Sequence, residues 1–413
     1  MKKNNIKDHK YLGKKLKLFF FSNNIGSGLP IWLPNGLFLY KKIKNFIRNI
    51  NIRQKYEEIL TPHIAKQKLF NKSGHLNKYN NNMFKITKNN KIYYLLKPMN
   101  CPFHCEIYKF YKNITYKDLP KKYFEFGTVY RNEKSGEING LFRTRIFTQD
   151  DAHIFCIEKK IYKIIYNIID TIKSIYSYFN FKKIYIRFSL KDKNNNKYIG
   201  DKKIWKKSQK IIIKIKKKIE LNNNTYIKYN EAAFYGPKID FIIKDSLNRK
   251  WQLGTIQIDY NTPIRLNIKY IDKNNKCKYP IIIHRALLGS IERFIGILIE
   301  HTKGNIPIWL LKNQLVIIPI NNSNLKYSIK IYNILIKKKI RIIIDKKKKQ
   351  LNDKIKFYEK TNIPIILIIG NKEEKNKTIF IRIKKIGKLG NLKFKKAINI
   401  ILNIIRKKNI NIN

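Results

Sequence analysis

At 413 residues the chain is long enough to bury one sizeable core together with a smaller second domain. Its 89 Lys and Arg against 27 Asp and Glu give a formal charge of +62, which favours phosphate-rich partners; four cysteines are too few for a disulfide framework, and the apolar run at 18–21 is too short for a secretory signal. No apolar run approaches the roughly 20 residues of a membrane-spanning helix, so a soluble, cytoplasmic protein with no membrane partner is expected.

Lys, Asn and Ile also fill ordinary elements such as 211–219 and 337–344, as in a protein encoded by an A+T-rich genome. Charge alone therefore singles out no lysine as a nucleic-acid contact. Residues 1–29 are polar and basic around one aromatic knot, LGKKLKLFFFS. LPIWLPN then opens a helix over about 35–51, with apolar residues at Leu37, Tyr40, Ile43, Phe46, Ile47 and Ile50. A short strand at 56–60 is stopped by Thr61 and Pro62. LFNKSGH at 69–75 and the stretch 83–97 lead to LKPMNCPFHCEIY, ending at Tyr108. There Cys101 follows a strand and opens a helix, whose N-terminus favours an anionic thiolate or a metal ligand.

The stretch 122–155, KYFEFGTVYRNEKSGEINGLFRTRIFTQDDAHIF, is poorer in Lys, Asn and Ile than its surroundings. Strands at 124–130 and 143–149, joined by a polar loop at 132–140 with two glycines, predict an antiparallel hairpin. Such a hairpin aims the guanidinium forks of Arg131 and Arg143 into one volume, which suits a polyanion such as a nucleoside triphosphate. Gln149, Asp151 and His153 follow at once, so groups able to hold an amine sit beside groups able to hold phosphate.

Beyond the hairpin the pattern predicts a helix at 160–179, a strand at 183–189, a Lys/Asn-rich solvated loop at 191–198 and strands at 231–243 and 251–259. A strand then runs into a helix over 281–300, with Glu292 and Arg293 at the helix start. Past a linker at 309–314, strands at 315–320, 340–344, 363–369 and 379–383 alternate with helices at 323–338, 351–361 and 392–408. That alternation predicts a small α/β domain with a mainly parallel sheet. The expected domains are 1–310 and 311–413. Among only seven histidines, Cys101-x-x-His104 and His153-x-x-Cys156 are equally acceptable metal pairs by spacing.

The phrases MNCP, RNE at 131–133, FTQDDAHIF at 147–155, FYGPKI, WQLGTIQID and HRALLGSIERFIG together resemble the threonyl-tRNA synthetases, a class II aminoacyl-tRNA synthetase family, from about His9 to the end of the chain. The resemblance implies an α+β class II catalytic domain, an antiparallel sheet flanked by helices, followed by an α/β anticodon-binding domain. It implies an enzyme that activates threonine with ATP and transfers it to tRNA(Thr). Arg131 and Arg293 would be catalytic, and ATP would be held by Arg131, Glu133, Arg143, Phe147, Gln252 and Arg293. Gln149, Asp151, Tyr235, Lys238 and Gln257 would bind the amino acid, and Glu373 and Arg382 the anticodon. Cys101, His153 and His284 would ligate one Zn²⁺ per subunit, leaving a position open for substrate; Mg²⁺ would accompany ATP. His104 and Cys156 are then packing residues. The helix at 35–51 and the strand ending at Pro62 resemble class II motif 1, which implies a homodimer.

Two departures accompany the match. Phe103 stands where the family has glycine, so its ring either crowds the metal ligand or replaces another packing group. The match begins so near residue 9 that a form without the N-terminal ubiquitin-like and editing domains is expected. The alternatives are a serine or proline ligase of the same class, which needs no Cys101, His153, His284 trio, and a non-catalytic tRNA-binding relative, in which the ATP-binding arginines would have decayed.

Overall fold

In a computed structural model of the chain, residues 8–89, 91–181, 183–192, 198–219, 224–244, 248–384 and 386–406 are described. Most of the loop expected at 191–198 and the end of the helix expected at 392–408 lie outside them. The chain divides into two units. The first comprises Met1–His9, Phe21–Ile31 and Ile43–Leu298, and the second Lys10–Phe20, Trp32–Lys42 and Ile299–Asn413.

The first unit is built on one sheet of eight strands. In chain order these are β1 (Glu57–Glu58), β2 (Lys121–Tyr130), β3 (Ile146–Cys156), β4 (Ile184–Leu190), β5 (Thr225–Tyr229), β6 (Lys238–Lys244), β7 (Lys250–Asp259) and β8 (Ile281–Ser290). Their order across the sheet is β5-β4-β6-β7-β8-β3-β2-β1. Only the edge pairs β5–β4 and β1–β2 are parallel; the interior pairs are antiparallel. The first nine residues of β8, IIIHRALLG, are buried without alternation, as a strand covered on both faces requires. Helix α1 (Ile161–Tyr178) buries Ile161, Ile164, Ile165, Ile168, Ile169, Ile172, Ile175 and Tyr176, a stripe at helical spacing. Its Tyr176 hydroxyl takes the Gly254 amide at 2.7 Å and donates to the Leu287 carbonyl at 3.0 Å, which fastens the helix to β7 and β8.

Between Ala286 and Ser290 the register of β8 against β3 shifts, with Gly289 at φ +76°. A bulge strands amides outside the ladder. Here the buried Asp150 carboxylate accepts Leu287 N at 2.8 Å and Leu288 N at 3.0 Å, so the carboxylate does structural work on the far side of β3 from its neighbours Gln149 and Asp151.

Three expectations for residues 34–243 need correction. The second hairpin strand begins at Ile146, not 143, because Arg143 N turns back to Asn139 O and Arg145 N bonds Gly28 O. Residues 231–237 are not strand; β6 starts at Lys238, after Pro237, which has no amide to donate, and Gly236, where a Cβ would stand 1.9 Å from the Ile258 carbonyl. The strand expected at 56–60 shrinks to two residues, while its helix runs longer than expected, Pro34–Arg53.

The second unit carries a five-stranded sheet of β9 (Leu315–Pro319), β10 (Ile342–Ile344), β11 (Ile365–Ile369), β12 (Thr378–Ile383) and β13 (Gly387–Lys393), ordered β10-β9-β11-β12-β13. Helices Leu325–Lys337, Leu351–Lys360 and Phe394–Arg406 accompany it. The first three strands are parallel, but β12 and β13 are antiparallel. The sheet is therefore mixed, not mainly parallel: the three residues between β12 and β13 leave no room for a crossover, so they form a hairpin. Among the described residues no helix is long and apolar enough to cross a membrane.

Candidate active site

Successive side chains on a strand point to opposite faces, so Phe147, Gln149, Asp151 and His153 share one face of β3. Register carries that face across the sheet. Lys238 of β6 pairs with Gln257 of β7, Gln257 with His284 of β8, and His284 with His153 of β3, four neighbours in one row. The next row runs Asp240, Thr255, Ala286, Asp151 and Glu125. From these rows Lys238, Gln257, His284, His153, Thr255 and Asp151 line a cavity of about 650 Å³ in the first unit, which every expected catalytic, ATP-binding, amino-acid-binding and metal residue lines.

At one end stand the cations. Arg131 follows β2 directly; its guanidinium lies 5.1 Å above the Phe147 ring, and its buried Nε has no hydrogen-bond partner among the described residues. Arg293, near the start of the helix Ile291–His301, donates from Nε to Phe142 O at 2.8 Å and from NH1 to Gln252 O at 2.9 Å. Burial, with Arg131 and Arg143 nearby, lowers its pKa to about 10, which leaves it charged at neutral pH. Arg143 donates to Glu133 at 2.7 Å and to Glu137 at 3.0 Å, so an anion reaching it competes with two carboxylates. Gln252 presents its backbone carbonyl to Arg293 and its side-chain oxygen to Arg187 at 3.4 Å.

At the other end are the groups for an amine. Asp151 accepts the Asn100 amide at 3.0 Å, and burial raises its pKa. The Tyr235 hydroxyl bonds Gln257 Oε1, and its ring stacks on His284 with centroids 4.8 Å apart. Lys238 pairs with the buried Asp240 at 3.2 Å.

In the row next to Asp151, on the side away from Phe147, His153 and His284 lie with Cys101; the three are buried and bring one ligand atom each within 4.8 Å of one another, a cluster able to hold a metal ion. Each residue is backed by a partner. Cys101 Sγ lies 3.2 Å from His75 Nε2, His75 Nδ1 lies 2.9 Å from Ser73 Oγ, and burial pushes His75 down to about 3, so it is neutral. His284 Nε2 faces Asp259 at 3.0 Å, and His153 Nδ1 faces His104 Nδ1 at 2.9 Å. Burial holds the Cys101 thiol well above its ordinary pKa and His153 well below its own; a bound dication would reverse the thiol's preference.

Two outcomes concern neighbours of Cys101. The Phe103 ring does not reach the cavity; it packs with Phe70, Leu76, Met83 and Leu95, which decides for a packing group. His104 is not a packing residue: both its ring nitrogens are engaged, Nδ1 with His153 and Nε2 with Glu125 at 3.2 Å. His75, Asn100, Asp259 and Glu125 were missed because each acts through a neighbour; the phrase SGH and Asn100 preceding Cys101 were the available signals. In the second unit, Glu373 accepts Gly370 N at 2.8 Å as the cap of its own helix, and Arg382 pairs with Glu359 at 2.8 Å.

A mostly antiparallel sheet whose hairpin and following strand-helix unit converge three arginines on one cavity defines a class II aminoacyl-tRNA synthetase core. Residues 84–302 match the tRNA synthetase class II core domain (G, H, P, S and T), and 314–404 match the anticodon binding domain. The chain is 45% identical over 379 residues to threonine–tRNA ligase of Flavobacterium psychrophilum and 44% identical over 387 to that of Azobacteroides pseudotrichonymphae, covering 91% and 92% of this chain. It spans only 58% and 59% of those proteins' lengths. The RNA binding domain of threonyl-tRNA synthetase from Cryptosporidium parvum superposes with a TM-score of 0.88 at 34% identity, covering 96% of this chain and 98% of that one. The chain belongs to the threonyl-tRNA synthetase family.

Proposed function

We propose that the chain is a threonine–tRNA ligase that forms threonyl-adenylate from threonine and ATP and passes the threonyl group to tRNA(Thr). The observation that carries this reading is the single cavity in which phosphate-facing arginines, an amine-facing carboxylate and the Cys101, His153, His284 cluster meet. Retention of Arg131, Glu133, Arg143 and Arg293 disfavours a non-catalytic relative, and the metal cluster disfavours a serine or proline ligase.

Adenylation is an in-line attack by the amino acid's carboxylate on the α-phosphate that expels pyrophosphate, so negative charge gathers in the transition state. Fixed cations stabilise it without reorganising. Arg131 takes the α-phosphate and the carboxylate, Arg143 exchanges Glu137 for the γ-phosphate, Glu133 meets the adenine edge, and Phe147 and Arg293 hold the ring between them. Asp151 pairs with the substrate ammonium, oriented by Gln149, Tyr235, Lys238 and Gln257. The donor set of one thiolate and two imidazoles fits Zn²⁺, which Cys101, His153 and His284 would hold. A bound Zn²⁺ would supply a Lewis-acid anchor for the amine and hydroxyl of threonine, and Mg²⁺ accompanying ATP would screen its charge.

Residues 1–310 form the catalytic domain and 311–413 the anticodon-binding domain in this reading, with the cytoplasm as compartment. Arg382 is the better placed anticodon contact, since its partner Glu359 is itself part-exposed. Arg382→Ala is expected to raise the KM for tRNA about tenfold, the loss of one base contact worth about 1–3 kcal/mol. Threonine-dependent ATP–pyrophosphate exchange needs no tRNA and stays unchanged; an unaltered tRNA KM removes Arg382 from the anticodon site.

A homodimer goes with the motif 1 helix and strand. Leu37, Ile52 and Leu60 are 40%, 55% and 85% exposed, apolar surface that a partner would cover. Sedimentation is expected to give a dimer at micromolar concentration and a monomer for Leu60→Asp. An active wild-type monomer contradicts the interface.

A further inference from the structure

We infer that Glu125 and His104 form a positioning arm that aims His153 at the metal, so that metal affinity depends on two residues that do not touch the ion. The inference rests on the metal reading above.

With His104 neutral, hydrogen-bond donors and acceptors give this arm one direction. Glu125 is 1% exposed and is held by Thr61 N at 3.1 Å, by Thr61 Oγ at 2.8 Å, and by Lys97 Nζ at 3.5 Å. Each of these contacts brings a donor, so the Glu125 carboxylate serves here as an acceptor. A carboxylate only accepts, so His104 carries its proton on Nε2, the nitrogen 3.2 Å from Glu125. A neutral imidazole with its proton on Nε2 offers a lone pair on Nδ1. That atom lies 2.9 Å from His153 Nδ1, which with His104 neutral carries the proton and donates it. Only Nε2 of His153 is left with a free lone pair, and that is the atom a metal takes.

His284 follows the same logic in one step fewer: the Asp259 carboxylate takes Nε2–H at 3.0 Å and leaves Nδ1 for the metal. Asp259 is itself fixed by the Asn261 and Thr262 amides at 2.8 and 2.9 Å. Each histidine ligand thus ends in an anchored, fully buried carboxylate, directly for His284 and through a second imidazole for His153. A ligand backed this way is both oriented and made more basic, and losing the backing group typically weakens metal binding about 10 to 100-fold. As a packing group His104 would require neither nitrogen to be aligned, whereas both are within hydrogen-bond range of a defined partner.

The test is the zinc dissociation constant of the full chain, measured by competition with a chromophoric chelator, together with the ligand-field spectrum of the cobalt-loaded protein. His104→Phe keeps the ring but removes the acceptor, and is expected to weaken zinc about 10 to 100-fold and to shift the cobalt bands. His104→Gln can still accept from His153 and donate to Glu125, and is expected to restore most of the affinity. Glu125→Gln falls between the two. Affinities within about twofold of wild type across all three variants, or a His104→Gln no better than His104→Phe, overturn the arm. If His104→Phe does not fold, Glu125→Gln and His104→Gln decide on the same readout. Wild-type protein that holds no stoichiometric zinc overturns the metal reading itself, and this inference with it.

Discussion

Arg131→Ala and Arg293→Ala are each expected to lower threonine-dependent ATP–pyrophosphate exchange by at least about 10²-fold, the loss typical of one fixed donor that faces developing charge. The two substitutions should differ in their side effects. Arg131 Nε has no hydrogen-bond partner among the described residues, so its removal leaves little unpaired behind and the melting temperature should hold. Arg293 spans Phe142 O and Gln252 O, and truncating it strands two carbonyls at about 1–3 kcal/mol for each buried group. A lowered melting temperature therefore accompanies the lost activity of Arg293→Ala alone. Both variants should still bind tRNA, and near-normal exchange in either one removes that arginine from the phosphate site.

The second large effect is on amino-acid choice. A site that ligates both amine and hydroxyl rejects valine by about 10⁴-fold or more, because the isostere leaves polar groups unpaired, while serine lacks only a methyl worth about 1–3 kcal/mol. Wild-type protein is thus expected to activate threonine strongly, serine about 10 to 200-fold less well, and valine not detectably. Cys101→Ala is expected to lose bound zinc and, with it, most threonine activation and the preference over valine. Metal content by mass spectrometry and exchange with the three amino acids check this together. A metal-free Cys101→Ala with the wild-type preference contradicts the assigned role of the cluster.

Much of this site was legible because strand alternation is local: once Phe147, Gln149, Asp151 and His153 are read on a strand, they share a face without further information. The metal trio was not legible from spacing, since Cys101, His153 and His284 lie on three elements and only the register of β3 against β8 sets His153 beside His284. The ring of Phe103 and the imidazole of His104 are neighbours in sequence, yet one turns into an apolar cluster and the other toward Glu125, a division that helix rotation decides and composition does not. Arg143 was expected on a strand because Phe147 and Ile146 carry the β pattern; the backbone at 143–145 instead spends its amides on Asn139 and Gly28. In the second unit, β13 reads GKLGNLK, too poor in β-branched residues to announce itself, and only its hairpin with β12 makes it a strand.

ATP–pyrophosphate exchange with the purified chain and each of the twenty amino acids in turn distinguishes a threonine ligase from its alternatives in one assay. Exchange is expected with threonine well above all others, with a weaker signal for serine and none for valine or proline. Exchange led by serine or proline, or none with any amino acid, would contradict the threonine assignment.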